Sequence, residues 1–489
     1  MPFPLSTDLY QLTMAQAYLR SGKGSDRGVF HLFFRRLPFG GGYALAAGLG
    51  TVLELLADYH FSEADLAYLG SLRGNDAQPL FSNEFLAALR TLELDVEIAA
   101  APEGSLVFAN EPLLRVTGSL WHAQLLETAL LNIVGFQTLV ATKASRIVQA
   151  ARGGQVLEFG TRRAHGDAAL AASRASYIGG CNATSHVLAG QRYGIPVRGT
   201  HAHSWVMAFD SELEAFDAYL AAAPNNAVLL VDTYDTLNGV RNAIKAGEKL
   251  RDRGLHLQAI RLDSGDLAWL SIEARKLLDA AGFTDTQIMA SNDLDEYLIE
   301  SLVQQGAAIS AWGVGTKLVT AYDEPALGAV YKLAMIQCDG AGYPFVPRIK
   351  LSEQAAKLSN PGIQQVRRFS TGDRLVADVI YDEAQGDDSA HWLVDPLDPT
   401  RQRVLGSHHT HEDLLIPVWR NGQILHESSD LLQIRSFAQR QLARLDPTVR
   451  RLLNPHEYPV GLSRELYAER LRLVHEARNI PRASSKELL

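Results

Sequence analysis

Cysteine is nearly absent: Cys181 and Cys338 are the only two in 489 residues. Two thiols cannot build a disulfide framework or a four-thiolate zinc site, and a reducing, cytosolic compartment is the expectation. Long hydrophobic runs are missing as well. The longest apolar stretches are interrupted well short of the ~20 residues that span a bilayer. The opening MPFPLSTDLYQLTM lacks the basic-then-apolar order of a signal peptide, and the closing SSKELL carries no lipidation or retention signal. No membrane partner is expected. Positive charge is in deficit, with 46 Lys and Arg against 55 Asp and Glu and a net charge of −9. That balance argues against general nucleic-acid binding, yet leaves room for a local basic pocket around a phosphorylated small molecule. Two nucleotide signatures are also lacking. There is no G-x-x-x-x-G-K-[ST] and no G-x-G-x-x-G after a strand, so neither a P-loop nor a dinucleotide Rossmann site is indicated. Any nucleotide must bind another way.

What is present is an ordinary globular composition, 47% apolar and 21% charged, which excludes disordered, collagen-like and coiled-coil chains. At ~150 residues per domain the length allows two or three domains. No internal repeat is visible. Residues 1–130 mix helical stretches (Leu45 to Tyr59, Glu63 to Leu72) with β-rich runs such as GVFHLFFRRLP and LLRVTGSL, which predicts an N-terminal α/β domain. A strongly apolar helical segment at 121–151 is read as crossing between domains. From residue 154 short apolar runs alternate with helical segments: QVLEFG, GIPVRGT, AVLLVDT, LQAIRLDS, QIMASND and AAISAWGVGT. Repeated βα units of this kind predict a parallel, buried sheet and favour a TIM-like α/β barrel over residues 131–349. Residues 350–489 are richer in polar turns and read as a C-terminal region packing on the other two.

Polar, titratable and glycine residues follow each run: Gly160-Thr-Arg-Arg163, Gly199-Thr-His-Ala-His203, Asp232-Thr-Tyr-Asp235, Asp263-Ser-Gly-Asp266, Ser291-Asn-Asp293 and Gly313-Val-Gly-Thr316. In α/β barrels the C-terminal ends of the strands carry the active site. Any one cluster has a plainer reading, because strand-to-helix loops need such residues for turns and caps; Asp293 with Glu296 looks like a capping box. Six clusters in phase point to a catalytic face. Small residues and backbone N–H groups in DSGD and GVGT suit phosphate and ribose. His201-Ala-His203 leaves three readings open: a metal pair, a single histidine acting as nucleophile or phosphate acceptor, or hydrogen-bonded structural histidines. The metal pair needs further imidazoles on later strands, which end in Asp, Ser, Asn and Gly instead. A second histidine cluster, Gly406-SHHTHED, is read as solvated surface.

At these residues the chain resembles the nicotinate phosphoribosyltransferases. The motifs are TDLYQLTM at 7–14, FFRRLPFGGGYAL at 33–45, EFGTRRAHG at 158–166, GIPVRGTHAHSW at 194–205, then LLVDTYDT, IRLDSGDL, ASNDLDE, GVGTKLVT and ALGAVYKL, and KLSEQAAKLSNPG at 350–362. Where many members read G-T-S-N, this chain has Ala183-Thr184-Ser185-His186. The resemblance implies the type II phosphoribosyltransferase fold and a homodimer with shared active sites. It implies transfer of phosphoribosyl from phosphoribosyl pyrophosphate (PRPP) to nicotinate, coupled to ATP hydrolysis, as the entry to NAD synthesis. By the same resemblance Arg162 grips the nicotinate carboxylate, Phe159 and a partner's Tyr10 sandwich the ring, and Thr184 and Ser185 line that pocket. Asp263 binds ribose, while Ser264, Gly265, Ser291, Asn292, Gly313, Gly315 and Thr316 bind the phosphates. His203 becomes phosphohistidine, and His201 has no assigned role. Mg²⁺ is expected to arrive with the pyrophosphate, without direct protein ligation. A metal hydrolase and a non-catalytic ligand-binding relative are the alternatives; nicotinamide or quinolinate are alternative pyridines, with Arg162 favouring a monocarboxylate.

Overall fold

The computed structural model describes residues 3–338, 343–354, 358–386, 390–426 and 430–478. Its chain groups into two compact units, one from residues 1–139, 326–430 and 440–489, the other from 140–325 and 431–439.

The second unit is built on a six-stranded, wholly parallel sheet. Its strands are β1 (Gln155–Glu158), β2 (Ala183–Thr184), β3 (Val228–Leu230), β4 (Ala259–Leu262), β5 (Gln287–Ala290) and β6 (Ala311–Val314), in the order β2-β1-β6-β5-β4-β3. Nearly every strand residue is buried, as expected for a parallel sheet with both faces covered. Five of the six expected runs form strands here. GIPVRGT does not: its Val197 makes only an isolated parallel bridge to Thr184. Pro196, which has no N–H to give, contributes a carbonyl to Thr184 N–H, and Arg198 N–H returns to the Thr184 carbonyl. The sixth strand is instead Ala183–Thr184, which is not among the expected runs.

Helices follow the strands, and aspartates start three of them. Asp235, Asp266 and Asp295 accept the N–H of Asn238, Trp269 and Leu298 at the heads of helices Thr236–Arg251, Leu267–Ala280 and Glu296–Gln304. The expected capping box does not form. The cap is Asp295, three residues before Leu298, rather than Asp293, which sits in left-handed backbone (φ 36°) two residues too early.

The other unit holds two large sheets besides a two-stranded one, Ala44–Leu45 with Leu106–Val107. One is a seven-stranded sheet whose central pairs, Arg27–Phe34 with Ala329–Gln337 and with Leu114–Ser119, are antiparallel. The other has six strands around the hairpin Gln364–Thr371 and Arg374–Asp382. Stacked rings, Phe30 on Tyr331 at 4.8 Å and Phe108 on Tyr458 at 4.0 Å, mark its core. Two buried imidazoles serve there as acceptors. His31 Nε2 receives Gln364 N–H at 3.2 Å, and His122 Nδ1 receives Asp95 N–H at 3.0 Å. The histidine cluster at 408–411 is at the surface, partly on strand Thr410–Asp413. Of the K-x-S…K-x-S motif, residues 355–357 lie outside the described residues. No helix among the described residues is long and apolar enough to cross a membrane.

Candidate active site

The C-terminal ends of β1, β3, β4, β5 and β6 bring most of the expected residues together, and Arg261 is their hub. Its guanidinium donates from Nε to Ser291 Oγ at 2.7 Å, from one terminal nitrogen to Thr200 Oγ1 at 3.1 Å, and from the other to Asp263 Oδ1 at 2.8 Å. It also lies 5.8 Å from the Phe159 ring centroid. Ser291 gives its hydroxyl proton to Asp263 Oδ1. Burial would raise the Asp263 carboxyl pKa, but Ser291 and Arg261 outweigh it and hold it below the usual carboxylate range. Asp263 therefore stays charged, with Oδ2 facing His203 Nε2 at 3.7 Å.

The two histidines of H-x-H separate cleanly. His201 is buried; its Nε2 accepts Leu230 N–H at 3.2 Å, its Nδ1 faces the Ala202 carbonyl at 3.4 Å, and Tyr219 packs edge-on at 4.8 Å. Burial lowers its pKa, so the ring is neutral and both nitrogens are engaged. That geometry leaves no paired imidazole site for a metal and makes His201 a structural residue. His203 opens helix His203–Met207, touches Thr233 Oγ1 at 3.2 Å through Nδ1, and is 40% exposed. Nε2 is thus the nitrogen presented toward Asp263 and solvent.

Around β1 the picture is of a ring platform beside a free cation. Phe159 is half-buried against Leu157, Ala183, Met289 and Ala311. Gly313 on the neighbouring strand makes this possible, since a Cβ there would stand 2.7 Å from the Phe159 ring. Arg162 is exposed and has no partner among the described residues, and the adjacent Thr161 Oγ1 is buried without one. Thr184 is turned inward: its hydroxyl donates to Glu158 Oε2 at 2.5 Å, where Ser173 also donates at 2.9 Å. Ser185 lines a cavity of about 740 Å³ with Val197, Arg198 and Thr200. Ser264 donates to Asp232 Oδ2 at 2.6 Å, and Gly265 takes a left-handed turn (φ 78°). Asn292 is exposed in left-handed backbone (φ 98°). Gly315 and Thr316 follow β6, Gly315 preceding the short helix Thr316–Val319. Tyr10 belongs to the other unit, 48% exposed on helix Leu9–Arg20, its hydroxyl 3.4 Å from Glu127.

Residue-type reading gave no role to Arg261, Glu158 and Asp232. The first two carried a signal: a charged residue inside an apolar, buried strand (QAIRL, QVLEF) is costly unless it is paired or used. Asp232 accepts Asp263 N–H at 2.8 Å through Oδ2, while its Oδ1 is buried with no hydrogen-bond partner. In the other unit three motif cations also gather. Burial lowers the pKa of Lys332, opposed in part by the Glu127 carboxylate and helped by the charges of Lys350 and Arg35.

The family models that match this chain are all of nicotinate phosphoribosyltransferase. Profiles for the N-terminal domain, the family proper and the C-terminal domain of nicotinate phosphoribosyltransferase match residues 5–135, 154–357 and 363–470. The chain is 44% identical to nicotinate phosphoribosyltransferase of Bacillus subtilis over 484 residues, covering 97% of this chain and 96% of that one. It is 41% identical to a Mycobacterium tuberculosis counterpart, covering 96% and 94%. The crystal structure of human nicotinic acid phosphoribosyltransferase superposes with a TM-score of 0.82 at 34% identity, covering 96% of this chain and 99% of that one.

Proposed function

The chain belongs to the nicotinate phosphoribosyltransferase family and has its type II fold, and from that premise we propose that it makes nicotinate mononucleotide from nicotinate and PRPP with ATP hydrolysis coupled through phosphorylated His203. The observation that carries this reading is Arg162, without a partner among the described residues, three residues beyond Phe159, in the unit whose strand ends hold Asp263 with His203 facing it. A planar guanidinium free of protein partners suits a bidentate carboxylate, and the ring edge suits the pyridine. Asp263, ionised and anchored by Arg261, accepts from ribose hydroxyls through Oδ2. The pyridine nitrogen then attacks C1′ as the bond from C1′ to the pyrophosphate oxygen breaks, and pyrophosphate leaves with both electrons. Gly313, Gly315, Thr316 and the Ser291–Asn292 turn surround that leaving group with small residues and backbone donors.

His203 meets the geometric need of a phosphoryl acceptor. Thr233 engages Nδ1, leaving Nε2 to attack the ATP γ-phosphorus; ADP leaves, and water later releases phosphate. The orphaned Asp232 Oδ1 and the Asp263 carboxylate are acceptors that would suit the water shell of a Mg²⁺ ion carried in with the pyrophosphate. Such an ion supplies charge neutralisation to the departing group. Tyr10 fits the role of a partner subunit's ring in a homodimer. Leu9, Tyr10 and Met14 leave an apolar surface exposed on one short helix, which suits docking on a second copy. The free thiols Cys181 and Cys338 agree with a reducing, cytosolic setting.

The test offers nicotinate, nicotinamide and quinolinate separately with PRPP and Mg²⁺, with and without ATP, and identifies the nucleotide formed. Nicotinate mononucleotide alone is expected, its yield raised by ATP. Label from γ-labelled ATP should enter the protein in acid-labile form and vanish in His203→Ala. Product from quinolinate, or undiminished label in that variant, overturns the corresponding part of the reading.

A further inference from the structure

Between Ser291 and the cap of the next helix, the chain passes through Asn292 and Asp293, both in left-handed backbone (φ 98° and 36°) although neither is glycine. Residues hold such conformations where their surroundings over-determine them. Both ends of this turn are anchored. At one end Ser291 sits between Arg261 and Asp263. At the other Asp295 divides its carboxylate: Oδ1 caps helix Glu296–Gln304 through Leu298 N–H at 2.8 Å, and Oδ2 takes Lys317 Nζ at 2.6 Å. Lys317 directly follows Gly313-Val-Gly-Thr316. The Asp295 side chain is only 9% exposed and that of Lys317 27%, so the pair is largely shielded from solvent. A second tie runs beneath it. The fully buried Lys143 Nζ grips Glu296 at 2.7 Å and Asp323 at 2.5 Å, one at the head of the helix after the first segment and one just past the short helix after the second.

We propose that Asp295 and Lys317 are positioning residues for PRPP. Their ion pair locks the Ser291–Asp293 turn, strained at Asn292 and Asp293, against the Gly313–Thr316 loop, so that both face the pyrophosphate in one fixed geometry. The inference rests on the substrate reading above and adds to it two residues that touch no substrate. Lys143 holds the segments together when the outer pair is broken, so loss of that pair loosens the phosphate end without unfolding the unit.

Asparagine is the discriminating substitution, because it keeps the capping oxygen and removes the charge. Calorimetry with PRPP and Mg²⁺ on the full chain should show affinity weakened about tenfold in Asp295→Asn, in Lys317→Met and in the double variant alike, since all three lose the same contact. Lys317→Arg should recover most of it. The kcat at saturating PRPP and the KM for nicotinate should stay within about twofold. Unchanged PRPP affinity in Asp295→Asn, additive effects in the double variant, or kcat falling while PRPP affinity holds would each overturn the proposal. If Lys317→Met fails to fold, Asp295→Asn and Lys317→Arg carry the test. Wild-type protein that binds PRPP but makes no nucleotide from nicotinate refutes the substrate reading alone, and the affinity series still decides the clamp; wild-type protein that binds no PRPP overturns both.

Discussion

In the function proposed above, a single side chain carries the specificity. Among the described residues Arg162 has no partner, so its removal leaves nothing buried and unpaired behind; what that function loses is the contact to the nicotinate carboxylate. Losing a charge-assisted hydrogen bond costs about 2–3 kcal/mol, roughly a 30- to 150-fold effect on affinity. Arg162→Ala should therefore raise the KM for nicotinate by about that factor while PRPP affinity stays near wild type. A variant with the wild-type KM would place the carboxylate elsewhere. At this scale the placement of the candidate residues was legible beforehand, because exposed polar residues follow strands in recognisable clusters. Arg261 was not. A residue inside an apolar strand reads as packing until the structure shows one guanidinium holding Ser291, Thr200 and Asp263 together.

Among elements, the sharpest constraint is where β6 passes β1. Gly313 admits the Phe159 ring because it has no Cβ, and a methyl would stand 2.7 Å from that ring. Overpacking of this kind costs about 1–3 kcal/mol or displaces the neighbour. Gly313→Ala should push Phe159 out of place and raise the KM for nicotinate at least about fivefold, a crowding cost of about 1 kcal/mol, with PRPP affinity changed less. Ring displacement can be read independently, as loss of protection when nicotinate is added to hydrogen exchange of residues 157–162. Equal loss of affinity for both substrates would mean the strand end itself had shifted. The strands around this contact were readable because buried parallel strands give continuous apolar runs. Two elements escaped. Ala183–Thr184 is two residues long and offers no period, and GIPVRGT has the composition of a strand but carries Pro196, which leaves it with a single bridge. Cap positions slipped similarly: Asp293 and Asp295 are alike in sequence, and only backbone conformation separates them.

Over the whole molecule, three buried imidazoles share one device. His31, His122 and His201 each accept a backbone N–H on a ring nitrogen, which only the neutral ring can do. Burial pushes His122 down to about 4, the neighbouring Asp95 opposing it only partly, and burial lowers His31 and His201 as well. The unfolded chain titrates these rings near pH ~6.5, so it binds more protons than the native state below that value. Stability from this source is complete above pH ~6.5 and is lost as pH falls toward 4. For His122 alone the loss is on the order of 2 kcal/mol by pH 5. The Tm should drop steadily from pH 7.5 to 5, and His122→Gln should flatten that slope; a Tm constant over the range would sink the argument. The same device marks the heat of unfolding. Near pH 6 each melting molecule draws protons from its surroundings, so the enthalpy recorded in a calorimeter includes the ionisation heat of the buffer. Melts in phosphate and in an amine buffer at equal pH and equal Tm should therefore report different enthalpies, and their difference counts the histidines released.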